Sequence, residues 1–137
     1  MKMAVGLHII ADLYGVNPEV LARVEKMKEV FEGAVKFANL SKISSDYYQF
    51  RPEGASGVIL IAESHLSFHT WPEHGLATLD IYTCGNPGQA EKAYQYIVEK
   101  LKPERVDMIK MDRGVAVENE KSNIEVSAAR EKSLEID

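Results

Sequence analysis

A single cysteine, Cys84, excludes an internal disulfide and with it a disulfide-stapled scaffold. Tryptophan is as scarce, with Trp71 alone. Nine glycines and five prolines in 137 residues are too few for a collagen-like or low-complexity chain. Apolar runs such as Val58–Ala62 fall far short of the ~20 residues that a bilayer span needs, so no membrane partner is expected. The opening stretch Met1–His8 lacks the apolar core and cleavage site of a secretory leader, which points to the cytoplasm. Positive charge is also short. Sixteen Lys and Arg stand against 21 Asp and Glu, for a net charge of −5, and no dense basic stripe is present. Nucleic acid is therefore not an expected partner. What remains is ordinary globular composition, 45% hydrophobic and 27% charged. It suits one domain that buries roughly two-thirds of its unfolded surface.

Local patterns give the outline of a fold. Leu7, Ile9, Ala11 and Leu13 alternate within Val5–Leu13, the period of a half-buried strand. Asn17-Pro18-Glu19 is a helix start: a cap, a residue suited to the first turn, and an acid at the positive end of the dipole. Val20, Val24, Met27 and Phe31 follow at helical spacing, so the helix is expected to run to about Ala38, with these side chains in the core. Four strand candidates come next: Ser44–Phe50, Ser56–Ala62, Leu66–Trp71 and Leu76–Thr83. Turn chemistry at Arg51-Pro52-Glu53-Gly54 and a stop at Pro72 separate them. Asn86-Pro87 repeats the helix start, Ala90, Ala93, Ile97 and Leu101 mark a second helical face, and Lys102-Pro103 ends it. Val106–Met111 is a last strand. Grouped rather than alternating elements imply an α+β class: a two-layer sandwich with an antiparallel sheet and two helices on one face. Residues 1–115 form the domain. Residues 116–137, rich in Glu and Lys, read as a charged, mobile extension.

Potential chemistry is concentrated in Ala62–His74. This stretch holds three of the four histidines, the Trp, two Ser and two Glu. His65 and His69, four apart, could join Cys84 or Glu73 around zinc, but the order is not that of a helical H-E-x-x-H site, and no metal is expected. Ser64 follows Glu63 where an apolar strand ends. A serine hydroxyl needs a base, and His69 and His65 could converge on the same turn. No Gly-x-Ser-x-Gly elbow is present. The bland alternative is a serine that caps a turn beside surface histidines.

Several separated motifs narrow the choice. Phe50-Arg51-Pro52-Glu53-Gly54-Ala55-Ser56-Gly57-Val58, Glu63-Ser64-His65-Leu66, His69-Thr70-Trp71-Pro72-Glu73, Thr83-Cys84-Gly85, Lys102-Pro103 and Arg113-Gly114 resemble, in order and spacing, the short prokaryotic S-adenosylmethionine decarboxylase proenzymes. The resemblance spans most of residues 4–115. It implies self-cleavage between Glu63 and Ser64, giving a β chain of 1–63 and an α chain of 64–137. Ser64 then becomes a pyruvoyl group, the only cofactor, whose carbonyl takes the substrate amine as a Schiff base and accepts the electrons freed with CO₂. By the same resemblance, Ser56 and His69 assist processing, with His69 handling protons. Cys84 is the proton donor in decarboxylation. Phe50, His69 and Trp71 line an adenine pocket, Glu73 binds the ribose, and Leu66 offers backbone contacts. The substrate is the small molecule S-adenosylmethionine, destined for spermidine and other polyamines. The assembly is a homodimer of cleaved αβ units whose sites draw on both subunits.

Some positions depart from the pattern. Leu7 stands where the family commonly has a basic residue and Val16 where it has Cys. Thr78-Leu79-Asp80-Ile81-Tyr82 is closer to the crenarchaeal arginine decarboxylases that share the serine, the His-Thr-Trp-Pro-Glu run and the cysteine. The alternatives are therefore the same chemistry on a basic amino acid, arginine or ornithine, or a non-catalytic ligand-binding homologue.

Overall fold

Period-two alternation produces a sheet with two unlike faces. The computed structural model describes residues 5–115. The charged extension expected over 116–137 lies outside the described residues. Six strands, β1 (Gly6–Tyr14), β2 (Lys42–Gln49), β3 (Ala55–Ile61), β4 (Ser64–Trp71), β5 (Leu76–Thr83) and β6 (Arg105–Arg113), form one sheet in the order β2-β3-β4-β5-β1-β6. Every neighbouring pair is antiparallel.

One face carries the core. Ile59, Leu66, Ile81 and Ile9 sit opposite one another from strand to strand, and each is fully buried. Two helices, α2 (Val24–Phe37) and α3 (Pro87–Leu101), cover this face with Met27, Phe31, Ala34 and Val35 from the first and Ala90, Ala93, Ile97 and Leu101 from the second. Each large apolar side chain so buried contributes about 1.5–3 kcal/mol. The Asn-Pro starts behave as the sequence predicts: Asn17 and Asn86 accept from the backbone N–H of Glu19 and Gly88. A Glu32–Tyr47–Lys42 cluster ties α2 to β2. Burial pushes the Glu32 carboxyl up, but the Tyr47 hydroxyl and the Lys42 ammonium outweigh it and hold the group below its ordinary range.

The first helix is not continuous. A short α1 (Pro18–Ala22) ends at Arg23, which is extended (φ −116°, ψ 131°), and α2 begins at the next residue. The cause lies on β2. The Gln49 side chain accepts from Val24 N–H at 2.7 Å and donates to the Ala22 carbonyl at 2.8 Å, so it takes up backbone groups that the broken turn leaves open.

Among the described residues no helix lies over the other face. His65, Ser67 and His69 of β4 point there, between Ser56, Val58 and Leu60 of β3 and Thr78, Asp80 and Tyr82 of β5. Ile10, Val58, Leu60, Ile109 and Met111 are exposed on it, by 42% to 64%. Among the described residues no helix is long and apolar enough to cross a membrane.

Candidate active site

Ser64 opens β4 directly after a two-residue turn, Ala62-Glu63, and pairs with Ile61 across the hairpin. Its φ is 152°, which a residue with a side chain rarely adopts and which costs on the order of 1–3 kcal/mol. The surroundings hold it there. The Glu63 carbonyl accepts from Cys84 N–H at 2.7 Å, and Ala62 N–H donates to the Ser41 carbonyl at 2.8 Å. The Glu63 carboxylate accepts from Ser41 N–H at 3.1 Å and from its hydroxyl at 3.2 Å. Gln89, in the first turn of α3, donates to the carbonyls of Ala38 and Asn39 and so pins the loop that carries Ser41. The Cys84 side chain is exposed. Opposite Ser64, the hydroxyl of Thr83 is buried and has no hydrogen-bond partner among the described residues.

The far end of β4 carries a different group. Ser56 and His69 are directly paired, with Ser56 Oγ 3.1 Å from His69 Nδ1. The His69 ring lies 4.3 Å from Trp71 and 5.3 Å from Phe50, and Phe50 in turn meets Tyr48 at 4.8 Å. Glu73 follows in a one-turn 3₁₀ helix, Pro72–His74, and is exposed. The Leu66 side chain is buried among the core residues, which leaves its backbone for any ligand. A depression of about 450 Å³ opens on this part of the bare face, with Tyr48, Ser56 and His69 among its walls and neither Ser64 nor Cys84.

Between the two ends lies a polar network. Arg113 donates to His8 Nδ1 at 2.8 Å, so Nε2 carries the hydrogen and donates to Asp80 at 2.7 Å. Asp80 also accepts from the Ser67 hydroxyl at 3.3 Å. His65 stands beside this network, edge-on to Tyr82 and His8 at 5.9 and 6.3 Å, and its Nδ1 is 3.3 Å from Ser64 Oγ.

The expectation that His65 and His69 converge on one turn is corrected here. Five residues of extended strand separate Ser64 from His69, roughly 16 Å at 3.3 Å per residue. Within one chain, Ser64, Glu63, Cys84 and Leu66 form one group. Ser56, His69, Phe50, Trp71 and Glu73 form another. His65 and His69 are likewise parted, by roughly 13 Å at the same rise, and among the described residues no three His, Cys, Asp or Glu side chains gather around a metal position. Sequence reasoning missed Ser41, Gln89 and Tyr48. The first two reach the site from loops and helices across the fold and carry no local signal. Tyr48 was visible as one of two adjacent tyrosines before the Phe50 turn.

Comparison with known proteins finds several that are similar to this chain. A family model described as S-adenosylmethionine decarboxylase matches residues 7–114. The S-adenosylmethionine decarboxylase proenzyme of Aquifex aeolicus is 54% identical over 136 residues, covering 99% of this chain and 100% of that protein. The protein of the same name from Thermoplasma acidophilum is 58% identical over 123 residues, covering 90% and 94%. A crystal structure of the adenosylmethionine decarboxylase from Aquifex aeolicus superposes with a TM-score of 0.81 at 58% identity, covering 85% of this chain and 96% of that one. A Trypanosoma brucei AdoMetDC monomer shares the fold at a TM-score of 0.56 and 16% identity; the match takes in 76% of this chain and 45% of that one.

Proposed function

The chain belongs to the S-adenosylmethionine decarboxylase family, and from that membership we propose that it is made as a proenzyme, cuts its own Glu63–Ser64 bond, converts Ser64 to a pyruvoyl group and removes CO₂ from S-adenosylmethionine to supply the aminopropyl donor of spermidine synthesis. The observation that carries this reading is the strained serine after a tight turn, with the preceding carbonyl already hydrogen-bonded. The Ser64 hydroxyl attacks the Glu63 carbonyl carbon, the amide C–N bond gives way to an ester, and Cys84 N–H steadies the oxygen as it gains charge. Elimination then releases the ester from Ser64. Hydrolysis of the dehydroalanine so formed expels ammonia and leaves a ketoacyl end on residue 64.

The residues around Ser64 fit such a group. A spare buried donor, the Thr83 hydroxyl, stands opposite it in the ladder, and the exposed Cys84 thiol is one residue further on. The pyruvoyl group supplies an electron sink for decarboxylation. Cys84 Sγ–H returns a proton to the carbon that loses CO₂. Phe50, His69 and Trp71 offer aromatic faces to adenine and to the sulfonium cation, Glu73 accepts from ribose hydroxyls, and Leu66 contributes backbone contacts. The relatives described above are named as S-adenosylmethionine decarboxylase proenzymes, which supports that substrate.

The two residue groups need a second copy. Bare faces laid together with the strands reversed bring the His69 end of one subunit to the Ser64 end of the other. That docking covers Ile10, Val58, Leu60, Ile109 and Met111. The working form is then a homodimer of αβ units in which Ser56 and His69 serve the partner subunit's cleavage site. It is a cytoplasmic enzyme on this reading.

Intact mass tests the proposal. Purified protein is expected as two pieces, 1–63 and 64–137, the second with a blocked N-terminus because a ketoacyl end carries no amine. Ser64→Ala is expected as one chain. An active native protein that stays whole overturns the reading.

A further inference from the structure

We propose that His65 is the proton carrier for the first step of self-cleavage, the amide-to-ester shift at Glu63–Ser64. The inference rests on the self-cleaving reading above and assigns a catalytic residue to it. Attack by Ser64 requires that its hydroxyl lose a proton. Within one chain His69 lies at the other end of β4, engaged with Ser56, and its place at the partner subunit's cleavage site is assigned to the later elimination step that follows the ester. The imidazole within reach in the same chain is His65, with Nδ1 3.3 Å from Ser64 Oγ.

The ring is held for this task. Tyr82 and His8 meet it edge-on from β5 and β1, at interplanar angles of 68° and 82°. His8 is itself locked between Arg113 and Asp80. These walls keep Nδ1 on the Ser64 side, where a rotating surface histidine would not stay. The Cys84 N–H on the Glu63 carbonyl completes the constellation of nucleophile, base and oxyanion donor.

The step balances without any outside reagent. His65 Nδ1 takes the proton from Ser64 Oγ as the Oγ–C bond to Glu63 forms. The Glu63 C–N bond then breaks, and the same proton passes from Nδ1 to the departing nitrogen of Ser64. An amide and a hydroxyl become an ester and an amine, and His65 ends as it began.

Cleavage of freshly synthesised full-length chain tests this, followed by gel and intact mass with and without hydroxylamine, which splits esters and spares amides. Wild type is expected to cleave. His65→Ala is expected to cleave on the order of a hundredfold more slowly. Its uncut chain is expected to resist hydroxylamine, because the block precedes the ester. Added imidazole is expected to restore part of the rate. His65→Gln keeps bulk and hydrogen bonding but cannot carry the proton, so it is expected to stay slow, and it carries the test where the alanine variant folds poorly. Wild-type speed in His65→Gln overturns the proposal, as does a hydroxylamine-sensitive bond at residue 64 in either variant. Failure of the wild type to cleave at all removes the parent reading instead.

Discussion

Thr70 supports two backbone groups at once. It is 3% exposed, and its hydroxyl accepts from Ala55 N–H at 2.9 Å and donates to the Leu21 carbonyl at 2.8 Å. One side chain therefore ties β3 and β4 to α1. Thr70→Val keeps the shape and strands both partners, which costs about 2–3 kcal/mol. The expected result is a lower urea midpoint with complete self-cleavage, since Thr70 points into the core and away from the bare face that carries Ser56 and His69. Nothing near Thr70 in the sequence announces this, because Leu21 is 49 residues away. Ser64 is the opposite case: its place at a tight turn is readable from the end of the apolar strand before it, and its proposed role rests on the family resemblance. The reach of His69 was misread, since closeness along an extended strand still means several residues of length.

Strands and helix starts were legible because their causes are local. Alternation from Leu7 to Leu13 and the two Asn-Pro pairs need no distant partner. The break at Arg23 was not legible, because it answers to Gln49 on another element. That glutamine also donates to the carbonyls of Phe50 and Gly54, so one amide joins the helix break to the loop that carries the stacking Phe50. Gln49→Leu leaves these groups unmet and loosens the loop. The Michaelis constant for S-adenosylmethionine is expected to rise roughly tenfold, about 1.4 kcal/mol, in steady-state assays. The cleavage rate is expected to stay at the wild-type value, because the Ser64 turn is pinned by Ser41 and Cys84 instead.

At the scale of the molecule, the proposed homodimer, with its site divided between the two ends of the sheet, makes complementation a test. Cys84→Ala damages one group and Phe50→Ala the other. Each homodimer is expected to be nearly inactive in CO₂ release. Co-expression is expected to restore about a quarter of wild-type activity, because half of randomly paired dimers hold one undamaged site out of two. No recovery in dimers shown by mass to be mixed overturns the shared-site arrangement. The strand order adds a last consequence. Cutting after Glu63 assigns β1, β2 and β3 to one piece and β4, β5 and β6 to the other, yet β1 lies between β5 and β6. The pieces are woven rather than merely abutted: parting them means tearing three ladders, β3–β4, β5–β1 and β1–β6. Once torn, they are separate molecules that must meet again by diffusion, so the nicked enzyme melts at a temperature that falls with dilution and returns from denaturant far less readily than its uncut precursor.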